Sequence, residues 1–265
     1  RASRAMTVIH DDVFRFADEF GPEKIVHIHN PHTGLRAVVA IDNTACGPAI
    51  GGVRMAPDVS AEEAFRLARA MTLKNAAAGL EHGGGKSVIF GDPHTMPCFE
   101  KADLIRSFAC AIDNLVEYIP GPDMGTDENC MAMVKEEIGR AVGLPAEIGG
   151  IPLDEIGATA LGLVAAAEVA QEFCDVELTR ARVAIQGYGA VGRHAAQFLA
   201  AKGARVIAVA DSGGTIMDTA GLDLEELAAL KAAGRSVTEA TRGEKGDRDA
   251  IISVGCDIFI PAARP

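Results

Sequence analysis

No stretch of this sequence is long and apolar enough for a membrane helix, which needs about 20 such residues, so no membrane partner is expected. Positive charge is also short: 25 Lys and Arg face 37 Asp and Glu, for a net charge of −12. That balance disfavours nucleic acid, whose binding rests on neutralising phosphates with basic side chains. The opening RASRAMTVIHDD has no apolar signal core, and Asp11 and Asp12 argue against an organellar transit peptide. A cytoplasmic location is the expectation. Cys46, Cys98, Cys110, Cys130, Cys174 and Cys256 are scattered, with no C-x-x-C among them. Reduced, small apolar side chains fit that scatter better than a zinc site or a disulfide set. His27, His29 and His32 lie close together, but no acidic or sulfur ligand joins them locally, and no metal is expected.

Apolar residues are plentiful, at 48% of 265 positions, enough for two packed cores. A mean hydropathy of +0.15 with many Ala and Gly fits close helix–sheet packing. Up to residue 148 the pattern is that of an irregular α/β domain. Strands are predicted at Lys24–His29, Leu35–Ile41 and Ser87–Phe90, and helices at Ala61–Ala78, Lys101–Leu115 and Asp127–Gly139. The run GLPAEIGGIPLDEIGA then breaks the periodicity as a hinge would. In 149–265, a helix around Thr159–Phe173 precedes ARVAIQ, GYGAVG, RHAAQFLAAKG and ARVIAVAD. That alternation is the βαβ unit of a parallel sheet. The expected fold class is therefore α/β with two domains, 1–148 and 149–265, the second Rossmann-like.

Gly187, Gly189 and Gly192 form G-x-G-x-x-G between a predicted strand and helix. The first glycine permits a tight turn, the second lets the backbone approach a pyrophosphate, and the third lets helix pack on strand. The helix opening at Ala190 and Val191 then points unpaired N–H groups at the anion. Asp211 closes the next strand, about 20 residues on, where a carboxylate bonds ribose hydroxyls. It would repel a 2′-phosphate, and the following SGGTIMDTAG supplies no Lys or Arg to receive one. NAD is thus expected over NADP, although Ser212 and Gly213 leave room for a phosphate.

Ser60 followed by Glu63 signals a capping box, and Gly79 a stop for the helix between them. Leu67, Ala70, Met71, Lys74, Ala77 and Ala78 share one predicted face, placing Lys74 mid-stripe, while Glu62, Glu63, Arg66 and Arg69 take more exposed directions. Two readings stay open for Lys74: an ammonium snorkelling to water, or one held in a cleft to meet an anion such as a substrate carboxylate. Lys86 follows three glycines at the mouth of an apolar strand. A phosphate loop fails there, since position 80 is Leu80 and the order is helix then strand. Glycines beside a lysine instead let a substrate or another backbone approach its amine. Asp123, in GPDMGT, is by itself a turn former.

Together these segments resemble the glutamate/leucine/phenylalanine/valine dehydrogenase family from about Ala45 onward. The carriers are GPAIGGVRM, MTLKNAAAGLEHGGGKSVI, GPDMGT, GATALG, GYGAVG and CDIFIPAA, in family order. The resemblance implies a substrate domain and a dinucleotide domain separated by a cleft that closes for hydride transfer, usually in homo-oligomers. By it, Lys74 binds the substrate α-carboxylate, Lys86 is the catalytic lysine and Asp123 passes protons to and from the amino group. Gly51, Gly52, Ile50 and Met71 line the substrate site, and Thr159 and Ala262 contact the cofactor. A lysine serving as base near neutral pH needs a depressed pKa, which burial and the second ammonium of Lys74 would supply.

Glutamate dehydrogenases typically carry a lysine just before the paired glycines, where this chain has Ile50. A branched-chain or other apolar amino acid is therefore expected, with glutamate as the alternative suggested by GPDMGT and DSGG. Family members continue beyond PAARP, so the dinucleotide domain reads as incomplete at its C-terminus. A non-catalytic NAD-binding module or inactive paralogue is the competing class, but it would need neither lysine nor Asp123.

Overall fold

The computed structural model describes residues 14–263 apart from residue 154, so Asp11 and Asp12 lie outside the described residues. The chain divides into two compact units, Arg1–Pro152 and Leu153–Pro265.

In the first unit, β1 (Lys24–Asn30) and β2 (Leu35–Asn43) form an antiparallel pair. β2 also pairs antiparallel with β4 (Gly83–Phe90). β3 (Ala49–Ala56) runs parallel between β4 and β5 (Tyr118–Pro122), giving the order β1-β2-β4-β3-β5. α1 (Ala61–Ala77) covers one face, where Ala64 and Ala68 meet Val38, Ala40 and Val88. α2 (Cys98–Ala111) and α3 (Glu128–Ile138) cover the other, packing Ile105, Phe108 and Met131 against Val39, Val53 and Ile89. Each large side chain buried this way contributes about 1.5–3 kcal/mol. Ser60 caps α1 through the Glu63 N–H, and Asp127 caps α3, which stops at a left-handed Gly139.

Several sequence expectations change. β3 and β5 were not anticipated, because their paired Gly and Pro residues have the composition of turns; both join the parallel part of a mixed sheet with partners in register. β4 starts at Gly83 instead of Ser87, running back through the glycines. Side chains are excluded there: a Cβ on Gly84 would strike the α1 backbone at Thr72, and one on Gly85 the Tyr118 ring. α2 begins three residues before Lys101, directly after Pro97, and ends at Ala111 short of Leu115. The buried stripe of α1 runs through Ala64, Ala68 and Asn75, one residue, or roughly 100°, around from the predicted face. Lys74, Ala70, Ala77 and Ala78 are consequently exposed. Arg69, expected to be exposed, turns inward onto buried Asp42 (2.8 Å).

The second unit holds α4 (Ala158–Ala170), β6 (Arg182–Gln186), α5 (Ala190–Ala201), β7 (Arg205–Asp211), β8 (Gly214–Met217), α6 (Leu224–Ala232), β9 (Glu244–Gly246) and β10 (Ile258–Pro261). The sheet order is β10-β6-β7-β8-β9. β10, β6 and β7 are parallel, with α5 as the β6–β7 crossover, while β8 and β9 add antiparallel. The helix expected around Thr159–Phe173 ends at Ala170 and continues as a 3-10 turn. Among the described residues, no helix is long and apolar enough to cross a membrane.

Candidate active site

Alternation along β4 puts Gly85, Ser87 and Ile89 on the α2/α3 face, and Lys86 with Val88 on the α1 face. Lys86 is only 4% exposed, and its Nζ donates to Oδ2 of Asp123. Asp123 follows β5 directly and is fixed from several sides. Its backbone N–H donates to Thr126 Oγ1 (3.0 Å), and that hydroxyl donates to the Val53 carbonyl (2.7 Å). Its Oδ1 accepts from the Met124 N–H and from Arg54 Nε (3.1 Å).

β3 makes room for this arrangement. Its ladder to β4 pairs Ile50 with Gly84 and Val53 with Ser87, leaving Gly51 and Gly52 unmatched opposite Gly85 and Lys86. A Cβ on Gly51 would collide with the Gly85 carbonyl, and one on Gly52 would sit 2.8 Å from the Asp123 Cβ. Beneath, buried Tyr118 accepts from Ser87 Oγ (2.8 Å) and donates to the Gly51 carbonyl (2.9 Å), tying the three strands together. Ile50 and Met71 are half-buried.

Burial pushes the Lys86 ammonium down to about 7, helped by the positive charges of Arg54 and then Lys74, with Glu63 opposing. Lys74 therefore acts on Lys86 through space from an exposed position, and not from the centre of an apolar stripe. Sequence reasoning missed Arg54 and Glu63. Arg54 lies inside the GPAIGGVRM motif, on the same face of β3 as Gly52, and that spacing was the available signal.

In the second unit, the three glycines play distinct parts. Gly187 turns the chain at φ 93°, a left-handed value that favours glycine. A Cβ on Gly192 would strike the Gly187 carbonyl, so its absence lets α5 sit on the turn. A Cβ on Gly189 would meet nothing within 4 Å, leaving that backbone open to a ligand. The first N–H groups of α5, at exposed Ala190 and half-buried Val191, have no intrahelical acceptor. A cleft of about 620 Å³ lies beside this turn, lined by Gly187, Gly189, Asp211, Ser212, Lys231, Arg248 and Ala262 among others. A pyrophosphate fits such a cradle. Thr159 is exposed in the first turn of α4 and does not line that cleft.

Asp211 departs from expectation. Its carboxylate accepts from Lys231 Nζ (2.8 Å), Ser236 Oγ (2.8 Å) and the N–H groups of Val237 (3.0 Å) and Gly213 (2.8 Å). Burial opposes its charge, but these bonds outweigh burial and hold it below the usual carboxylate value. The segment after β7 lacks cations, yet α6 delivers Lys231 to the same carboxylate.

Comparison with known proteins agrees with both units. A family model described as Glu/Leu/Phe/Val dehydrogenase, dimerisation domain, matches residues 22–140, and one described as Glutamate/Leucine/Phenylalanine/Valine dehydrogenase matches 149–265. A glutamate dehydrogenase of Aeropyrum pernix is 37% identical, over 83% of this chain and 56% of its own length. A phenylalanine dehydrogenase of Caldalkalibacillus thermarum is 36% identical, over 91% of this chain and 62% of its own. The solved hetero-hexameric glutamate dehydrogenase of Thermus thermophilus, in a Leu-bound form, superposes with a TM-score of 0.78 at 30% identity, covering 91% of this chain and 62% of that one. The chain thus spans somewhat over half the length of these relatives. With both units matched in order, the chain belongs to the glutamate/leucine/phenylalanine/valine dehydrogenase family.

Proposed function

We propose that the whole protein is an NAD-dependent L-amino-acid dehydrogenase. In this reading it deaminates a branched-chain or other apolar amino acid to the 2-oxo acid and ammonia, and runs the reverse amination. The observation that carries the reading is the Lys86–Asp123 pair, a nearly buried amine tuned to about 7 and touching a carboxylate. A general base works best with its pKa near the operating pH. Neutral Lys86 takes a proton from the water that adds to the iminium carbon of the oxidised substrate. Asp123 carries protons to and from the departing amino group. Lys74 meets the α-carboxylate as a point charge, with Gly51, Gly52, Ile50 and Met71 bordering the substrate.

Bound NAD supplies the hydride acceptor for Cα. Gly187, Gly189, Ala190, Val191 and Gly192 would hold its pyrophosphate and Asp211 would face its ribose, with Thr159 and Ala262 completing the contact. Homo-oligomeric assembly is supported by the dimerisation-domain match.

Apolar substrates are favoured by charge bookkeeping. Of the cations acting on Lys86, Arg54 is engaged by Glu63 and Asp123, which leaves Lys74 for one carboxylate. A glutamate side chain would bring a second carboxylate beside Ile50 without a partner, which is costly. Glutamate is the alternative, supported by relatives named glutamate dehydrogenases. The test is NAD reduction by the whole protein across a panel of amino acids. Leucine or valine should turn over faster than glutamate; a glutamate preference reverses the substrate assignment. No reduction with any amino acid points instead to a non-catalytic NAD-binding module. Lys86→Ala should bind NAD nearly as before while kcat falls at least ~100-fold.

A further inference from the structure

Arg54 and Glu63 form a second rank behind the Lys86–Asp123 pair. Gly52 carries no side chain, so Asp123 lies across β3, and Arg54, two residues along on the same face, reaches its Oδ1 through Nε (3.1 Å). The other side of the guanidinium donates through Nη1 to Oε1 of Glu63, in the first turn of α1. Ser60 caps the Glu63 N–H at 3.1 Å, anchoring that turn. The side chains of Arg54, Asp123 and Lys86 are 16%, 17% and 5% exposed, so little water competes for these bonds.

We propose that Arg54, clamped by Glu63, is a positioning residue that holds the Asp123 carboxylate against the Lys86 amine. This rests on the dehydrogenase reading for what the pair does during turnover. A guanidinium suits the task because its planar fork bonds two carboxylates at fixed angles, which an ammonium cannot do.

The charges around Lys86 follow the same logic. β3 presents Arg54, α1 presents Glu63 and Lys74, and the loop after β5 presents Asp123. The neighbouring β2 opposes Lys86 with Ala40, and its Asp42 is taken by Arg69 and Thr72. On the opposite face, the Ser87 and Tyr118 hydroxyls are neutral and bonded to each other. With Lys86 neutral, the two cations Arg54 and Lys74 balance the two carboxylates Asp123 and Glu63; with it protonated, the cluster carries one excess positive charge. Arg54 thus favours the proton-free amine and Glu63 opposes it.

The experiment is competitive acetylation of Lys86 against pH in the whole protein, read by peptide mass spectrometry alongside kcat. Arg54→Met should raise the Lys86 midpoint by roughly one pH unit, and Glu63→Gln should lower it. Arg54→Lys, which keeps the charge and loses the fork, should leave the midpoint near wild type while kcat falls about tenfold or more. Midpoints moving in the same direction in the first two variants, or unchanged kcat in Arg54→Lys, would overturn the proposal. A wild-type protein with no amino-acid-dependent turnover, whose midpoints still move oppositely, would overturn the dehydrogenase reading and leave the charge arrangement standing.

Discussion

Replacing Lys86 by Met removes the ammonium and keeps much of the side chain's bulk, so its effect on stability should depend on pH in a calculable way. The ordinary lysine value is 10.5, and in the folded protein burial, Arg54 and Lys74 bring Lys86 to about 7. Between those values the unfolded chain holds a proton that the folded chain does not. Stability therefore rises with pH across that window, and the buried charge is destabilising below it. Each pH unit inside the window is worth about 1.4 kcal/mol. Between about pH 6.5 and about pH 9.5, after rounding at the lower edge, wild type should gain about 3 kcal/mol relative to Lys86→Met. Denaturant unfolding of both proteins at the two pH values measures this, and taking the difference cancels groups that titrate in both. Asp123 keeps Arg54 and the Met124 N–H in the variant, so its carboxylate is not stranded. A wild-type-minus-variant gap that stays flat with pH would refute the claim that burial depresses this amine.

Tyr118→Phe keeps the ring that fills the space beside Gly85 but strands the Ser87 hydroxyl and the Gly51 carbonyl. A loss of ~1–3 kcal/mol in chemical denaturation is expected; an unchanged unfolding midpoint would mean that water satisfies those groups. Lys231→Met should take the one cation from the Asp211 carboxylate, leaving it its neutral donors, and sharpen rejection of a 2′-phosphate. Titration with both dinucleotides should then show NADP binding falling roughly tenfold relative to NAD, and an unaltered ratio would remove Lys231 from cofactor discrimination.

Much of the second unit was legible along the chain. The glycine spacing, the apolar runs on either side and Asp211 at the end of β7 all lie within one βαβ segment, where local sterics decide the conformation. The start of α1 was legible for the same reason, since Ser60 and Glu63 meet within one turn. Lys86 and Asp123 were reachable because several motifs occurred in family order, and neither residue would have stood out alone. β3 and β5 were not legible. AIGGVRMA and YIPGP carry turn-forming residues, and only pairing with neighbours makes them strands.

What the sequence by itself determined were features set by residues a few positions apart: the glycine turn, the helix caps, the acidic balance and the two-part organisation. Only the tertiary structure decided which side chains share a proton or a charge. Lys86 meets Asp123 from 37 residues away, Arg54 bridges to Asp123 from 69, and Lys231 reaches Asp211 from 20. The buried face of α1 likewise turned by one residue, because the sheet beneath it selected small Ala64 and Ala68 over the larger apolar side chains that helical period alone favoured. Periodicity reports how apolar a face is, whereas packing chooses the face that fits.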